Sequence, residues 1–372
     1  MDSNADDQAD LSTVKSDDSD KIQPVTTTHG QYSEDSEVDI DYEEHQNALR
    51  IFTEATPDSS TNAIAVYDSA GKFATVRERD VKSTAFQTWD FKVSDNSYRS
   101  TVTAARMKNQ SGREVLMFPS DREQLIEDCL RKMAARGRGV IHKGATGVVF
   151  TLYELREELK RYKHTLTYDS LREGIEVMQG ANLLIEDVKT QKQWKEHFLS
   201  RIIRGGIRSK VGEQREVEKW FVGFHLLVTE SIVDRTYRQM DYPRLMAIRG
   251  VLPKYLYKRM VLLYTYAELT KPYQPSMKKT LIESGRGLSL EQKNNVKAMK
   301  RAFAELKKEG AIDRVEEDRK MDGRTVVDIR YSIYPTEAFV NEVIEANKMQ
   351  KRLMAENSRS KLAKIKKSIR QS

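Results

Sequence analysis

The stretch LSLEQKNNVKAMKRAFAELKKEGAI, residues 288–312, sets the reading of everything around it. Ser289, with Gln292 three residues on, gives a reciprocal capping box and predicts a helix from Ser289 to about Glu309. Val296, Met299, Phe303 and Leu306 recur at helical spacing and form a core stripe. Lys293, Lys297, Lys300 and Arg301 fall off that stripe and make a basic face. Gly310 stops the helix as a C′ glycine does. Two strands are predicted beyond it, at about 312–317 and 325–333. The second alternates apolar Val327, Ile329, Tyr331 and Ile333 with polar Asp328, Arg330 and Ser332. Between them a charged tip turns at Asp322-Gly323.

A basic helix followed by a hairpin with a basic tip is the layout in which a winged helix presents a recognition helix to DNA. The same residues also fit a solvated lysine-rich helix packed on a hairpin, since charge runs are commonly plain surface. In the nucleic-acid reading, Lys293 and Lys297 lie in the N-terminal half of the helix, the part that usually meets base edges. Lysine is a point charge suited to phosphate, whereas Arg301 carries the fork that reads a guanine edge. Met299 and Phe303 are read as core.

The chain of 372 residues has room for two or three domains. Its formal charge of +7 is unevenly spread: residues 1–45 carry 14 Asp/Glu against two Lys/Arg, which leaves +19 on the remainder. A body that basic favours a polyanionic partner, nucleic acid ahead of membrane. No run of about 18 apolar residues is present, and the acidic, polar start does not read as a signal peptide. One cysteine, Cys129, excludes an internal disulfide and any cysteine-cluster zinc site. The expectation is a soluble cytoplasmic protein.

Residues 1–60 are rich in Asp, Glu, Ser and Thr and predict a disordered acidic tail, either solubilising or competing with DNA for the basic body. Residues 61–118 stay unassigned; Ala63–Tyr67 and Phe73–Val76 around Ser69-Ala70-Gly71 fit a small hairpin. Residues 119–240 read as a first winged-helix domain. Ser120 caps a helix with the stripe Leu125, Cys129 and Met133, assisted by Ile126 and Leu130. Strand 148–150 leads to a helix capped by Thr151, then one capped by Thr167 over 168–179, then a strand at 181–187. A basic segment, 188–216, reads as a long wing or mobile loop. A strand is expected at 218–228 and a connecting helix at 231–240. Residues 241–347 read as a second winged-helix, DNA-binding domain: Pro253 at a helix N1 position, a short helix from Pro275-Ser276, the Ser289 helix with its hairpin, and a last helix around Phe339, Val343 and Ile344. That helix fades into a basic tail, 348–372, with nine Lys/Arg and one Glu. The fold class is therefore α+β, mainly helical, with tandem winged-helix domains. Gly180-Ala181 and Gly310-Ala311, each between a capped helix and a strand, suggest duplication of one unit.

Enzymatic chemistry finds little support. There is no phosphate-binding G-x-x-x-x-G-K-[ST] run, since Val66 stands where Gly71-Lys72 would need the first glycine. The six histidines form neither H-x-H nor H-E-x-x-H, which speaks against a metal-dependent nickase. Cys129 sits on an apolar helix face and reads as a core thiol. No catalytic residue, metal or cofactor is assigned. In the first half Arg161, Lys163 and Arg172 are candidates for phosphate contacts. Arg172 is flanked by Glu173 and Glu176, so dimerisation is an equal reading of that half.

Thr151-Leu-Tyr-Glu-Leu155, then Tyr168, Leu171, Ile175 and Gly180-Ala181, resembles the first winged-helix domain of the iteron-plasmid replication initiators (TrfA/RepA-like). Val228-Thr-Glu-Ser-Ile-Val233 and Tyr257-Lys-Arg-Met260 with Leu263-Tyr-Thr-Tyr266 are similar to that family's inter-domain junction and first helix of the second domain. Asn295-Val-Lys297, Phe303-Ala-Glu-Leu306 and Gly310-Ala-Ile312 resemble its iteron-reading helix. The likeness covers about 150–317. It implies a protein that binds direct repeats at a plasmid origin, opens adjacent AT-rich DNA, recruits the host replicative helicase with its loader or initiator, and passes between monomer and dimer, the dimer repressing its own gene. It also implies that Lys293, Lys297, Lys300 and Arg301 enter a major groove and that Arg319, Lys320 and Arg324 are wing contacts. The 188–216 segment and the acidic N-terminus depart from the family pattern, and Gln350-Lys-Arg-Leu-Met354 is only a weak sliding-clamp match. Rival readings are a dimeric winged-helix repressor, a replication nickase or primase, and a partition adaptor.

Overall fold

The apolar residues at 48–52 already belong to the core. A computed structural model describes residues 36–109, 111–207 and 217–371. Within them α1 (Ser36–Ala55) buries Ala48, Leu49 and Phe52, so order sets in well before residue 60, against the expectation of a disordered tail to that point. Residues 1–35 lie outside the described residues. β1 (Ser60–Ile64) and α2 (Ala65–Ser69) follow, and the hairpin expected at 63–76 does not form. β1 instead pairs antiparallel with Tyr237–Asp241, from Ser60↔Asp241 to Ile64↔Tyr237. Asp68 Oδ2 accepts from Ile64 N–H at 2.7 Å and turns the chain into α2. Gly71 is no turn tip: a Cβ there would come within 2.3–2.4 Å of the Glu283–Gly285 backbone, so glycine allows two segments to touch.

β2 (Glu78–Asp80), β3 (Phe86–Val93), β4 (Asn96–Thr103), β5 (Ala105–Lys108) and β6 (Glu114–Met117) occupy the unassigned segment. α3 (Asp121–Met133) starts at Ser120, whose N–H and Oγ both donate to Glu123 Oε2 at 2.9 and 2.8 Å, a capping box with Glu123 as partner. After one π turn come β7 (Gly139–His142), β8 (Ala145–Thr151), α4 (Leu152–Arg161) and α5 (Tyr168–Gly180). Thr151 and Thr167 accept from Glu154 and Ser170 N–H at 3.1 Å each, as their spacing predicts. β9 (Asn182–Asp187), β10 (Gln193–His197), β11 (Leu199–Ile207) and β12 (Val217–Phe224) complete two four-stranded antiparallel sheets, β10-β9-β4-β3 and β11-β12-β8-β7. The described part of the 188–216 segment, 188–207, is mainly sheet, with Trp194, Phe198 and Leu199 buried; residues 208–216 lie outside the described residues. The strand predicted at 218–228 ends at Phe224, and α6 (Leu226–Val233) begins with the His225 ring accepting from Leu227 N–H at 3.2 Å. Arg235 then takes a positive φ of 54° and the chain extends as β13 (Tyr237–Asp241), where a helix was expected. α7 (Tyr242–Ala247) leads onward.

α8 (Val251–Leu263) places Pro253 at its third residue rather than its first, behind Gly250 at φ +92°. α9 (Met277–Glu283), α10 (Gln292–Lys308), β14 (Ile312–Asp322) and β15 (Thr325–Pro335) follow, and α11 (Glu337–Gln371) closes the chain. The expected basic tail is therefore a continuation of this 35-residue helix. Phe339, Val343, Ala346 and Leu353 bury on it while Ile344 faces solvent. Gln350 accepts from Arg238 Nη1 at 2.9 Å and Leu353 is buried, while Lys351, Arg352 and Met354 of the weak clamp match are exposed. The whole is mixed α/β, 43% helix and 33% strand, with more strand than a mainly helical expectation allows.

The two glycine–alanine joints differ. Gly310 has φ +67°, Gly310 N–H bonds Lys307 O and Ala311 N–H bonds Leu306 O, the paired bonds of a Schellman ending. Gly180 has no positive φ; there a Cβ would stand 2.7 Å from Ala105 Cβ. Ala181 and Ala311 are both fully buried.

Two hydrophobic clusters form, one from residues up to Met246 plus Leu353, the other mainly from residues beyond Met240. Between them runs a buried charge network joining α2, α3 and α8. Arg131 donates to both oxygens of Asp68 at 2.9 Å each. Lys72 and Lys258 reach Asp68 Oδ1 at 3.2 and 3.4 Å, and Lys258 donates to Asp128 at 2.6 Å. Glu127 accepts from the Tyr67 hydroxyl and pairs with Lys72 at 3.5 Å. Burial alone would raise the Asp68 carboxyl; Arg131, Lys258 and Lys72 outweigh it and hold it well below the usual carboxylate range.

Lys254, one turn before Lys258, is fully buried, and its ammonium has no hydrogen-bond partner among the described residues. Burial lowers its pKa to about 8, partly opposed by Asp128 and Asp121 and reinforced by Lys258. Between pH 8 and 10.5 the unfolded chain binds the proton that the folded chain has released, so this group's contribution to stability improves as pH rises through that window. Lys254→Met is expected to stabilise the fold by about 1–3 kcal/mol at pH 7, with the gain shrinking toward pH 10.5. Lys132, also lowered to about 8, titrates in both proteins and cancels in the difference. Denaturant midpoints of both proteins across that range check this; a gain that does not change with pH would contradict it.

Candidate nucleic-acid interface

α10 forms because four apolar residues share one face, and it begins at Gln292, three residues later than its capping box predicts. Ser289 is not the cap. The buried Asn295 side chain accepts from Ser289 N–H at 2.8 Å and donates to Ser289 O at 2.9 Å, which draws residues 289–291 across the helix end. Met299, Ala302, Phe303 and Leu306 face the core, and Phe303 meets Tyr331 of β15 edge to face at 4.7 Å. Val296, predicted in that stripe, is only half-buried.

The opposite face is exposed and carries Lys293, Lys297, Lys300 and Arg301 together. Lys297 and Arg301 make no ion pair among the described residues. Lys293 has Glu291 at 3.2 Å, and Lys300 reaches Glu317 of β14 at 3.7 Å. These pairs are solvent-exposed and worth little, so the cations remain available to a stronger anion. Over Gln292–Lys308 six Lys/Arg stand against one Glu, a net +5.

β14 and β15 form a longer hairpin than expected, paired out to Asp322↔Thr325 around Gly323-Arg324 with register shifts at Ile312/Arg314 and Lys320/Met321, and with Gly323 at φ +56°. Its base is pinned by Tyr273, which exchanges backbone bonds of 2.8 and 2.9 Å with Ile333. The hairpin is not basic as a whole: Ile312–Pro335 holds five Lys/Arg and six Asp/Glu. Its cations gather toward the tip, where Lys320 and Arg324 are exposed and Arg319 pairs with Glu317 at 2.9 Å.

The first-half candidates are differently placed. Arg161 pairs with Glu158 at 2.9 Å, Arg172 has Asp169 at 3.4 Å, and Lys163 sits at φ +61° in the turn after α4. α5 carries three Asp/Glu and one Arg, a net −2, with Glu173 held by Arg77 and Arg122 and Glu176 held by Arg204. The two helices that sequence aligned as counterparts thus have opposite charge.

A cleft of arginines, invisible to sequence spacing, adjoins this face. Arg301, on the flank of the basic face away from the hairpin, lines an open cleft of about 630 Å³ with Arg77, Arg249 and Arg286. These residues come from four distant segments, and no local pattern announces them. Among the described residues no His/Cys/Asp/Glu group is arranged to hold a metal ion, and no helix is long and apolar enough to cross a membrane. Cys129 is fully buried, its thiol pushed up by that burial.

No protein-family model and no curated protein matches this chain. Among solved structures it is similar to domains 2–3 of RctB, residues 155–483, with 11% identity over 76% of this chain and 99% of that one and a TM-score of 0.44. A selenomethionine form of the same two domains matches at 12% identity over 69% and 94%, TM-score 0.41. The Pi initiator protein, in a complex with iteron DNA, matches at 12% identity over 58% of this chain and 94% of that one, TM-score 0.39.

Proposed function

We propose that this chain is a sequence-specific DNA-binding protein that initiates plasmid replication from direct repeats, with α10 in the major groove and the tip of the β14–β15 hairpin on the backbone or minor groove. The observation that carries DNA binding is the exposed face of α10: four cations on one side of a helix whose other side is fixed in the core, in a segment of net +5. In this reading residues 241–347 are the reading unit and 119–240 a second winged-helix unit. Arg172 is paired with Asp169 and the other α5 carboxylates are ion-paired to neighbouring arginines, which supports a protein-contacting role for that second unit, self-association included, over phosphate contacts by Arg172. The initiator role draws its support from the order of family-like segments between 150 and 317. Helicase recruitment, autoregulation and a cytoplasmic, DNA-associated location belong to the same proposal.

Footprinting on the DNA flanking the chain's own gene tests it. Evenly spaced, same-orientation protections beside an AT-rich tract are expected. A single palindromic footprint over a promoter would make the protein a dimeric repressor, and nicking or nucleotide polymerisation by the purified chain would make it an enzyme.

A further inference from the structure

Docking by α10 and the hairpin tip leaves the arginine cleft beside α10 unused. Its walls are the Ala74–Arg77 segment, the start of α3 at Ser120 and Asp121, and the first turn of α8 from Gly250 to Pro253. Arg249, Arg286 and Arg301 make no ion pair among the described residues; Arg77 is held by Glu173 at 2.5 Å. Two carboxylates, Asp121 and Glu305, also line the cleft. Glu305 accepts from Arg249 N–H at 2.9 Å and has the Lys308 ammonium at 3.7 Å, and the three guanidiniums without ion pairs keep the cleft net positive against these two carboxylates. The α8 N-terminus adds its positive dipole end to the same space.

Resting on the DNA-binding reading, we infer that this cleft grips a stretch of sugar-phosphate backbone as the duplex leaves α10. Guanidinium forks match phosphate oxygens two at a time, and three of them without ion-pair partners form a clamp for a polyanion. The cleft is open, which suits a chain passing through more than an enclosed small ligand. Arg301 belongs to both surfaces: it stands on the exposed face of α10 and on the cleft wall, so a duplex lying on α10 continues into the cleft. The far wall is built by residues 74–77, which gives the segment before residue 118 a direct part in DNA binding. Contacts of this kind hold any sequence equally and set the register of the reading helix.

The test uses the full chain with Arg249→Ala, Arg286→Ala and the double variant, leaving Arg77 and its Glu173 pair intact. Affinity is measured against salt on a duplex carrying the footprinted site and on a random duplex, with hydroxyl-radical footprints alongside. The double variant is expected to weaken both duplexes by the same factor, to flatten the log–log salt slope by about 0.9 for each lost contact, and to lose protection at one end of the footprint only. An exposed-lysine control, Lys195→Ala, is expected to leave slope and footprint unchanged. Unchanged slope and footprint in the double variant, while the wild type binds its site, would sink the clamp alone. Absence of any wild-type footprint at moderate salt would sink the DNA reading and the clamp with it.

Discussion

Asp68→Ala destabilises the chain by about 3–5 kcal/mol, the expected cost of removing one partner from a buried ion network and leaving the others charged. Asp68 is fully buried and takes two bonds from Arg131, one from Lys72 and one from Lys258. None of these cations reaches water, since all three side chains are about 2% exposed. The midpoint of a denaturant titration reads the loss, and failure of the variant to accumulate in folded form would be its extreme. Asp68→Asn keeps the volume and some hydrogen bonds, so its cost falls between wild type and alanine. Because the folded carboxyl titrates below its unfolded value, its contribution is present above about pH 4 and is lost as pH falls through the folded pKa. The alanine variant should therefore show a weaker acid dependence than wild type. A wild-type midpoint in the alanine variant would mean that these charges do not share one site.

Replacing Lys293, Lys297, Lys300 and Arg301 together by alanine is expected to lower affinity for the specific duplex on the order of a hundredfold or more. The four side chains lie on one exposed face and none is needed by the core, so the fold and its melting curve should stay unchanged. The single change Arg301→Ala separates two roles. A loss of about 1–3 kcal/mol on the specific duplex alone marks a base contact, and equal loss on random DNA marks a phosphate contact. If the quadruple variant binds as tightly as wild type, α10 is not the reader.

Much of the second half was legible because its information is local. The core stripe of α10 from Met299 to Leu306, the Gly310 ending and the alternation of β15 are each set within one turn or two strands, and the structure keeps them. The capping box misled because Asn295, a buried side chain within the helix, took over the backbone of Ser289. The first half was harder for the same physical reason in reverse. β1 reads as half of a hairpin until its partner at Tyr237–Asp241 is known, and Gly71 reads as a turn until the backbone of Glu283–Gly285 is seen against it. The cationic face of α10 could be found by spacing. Arg77, Arg249 and Arg286 could not, because only folding brings them to Arg301.

The pairing of β1 with β13 also imposes an order in time on a chain emerging from the ribosome. Residues 60–64 are made early but have no strand to join until residue 241 has cleared the exit tunnel. Asp68 and Asp128 likewise wait for Lys258. Such long-range closure is slow by nature and leaves apolar surface open while synthesis continues. The contacts that join the two halves should therefore form late, once residue 258 has been made.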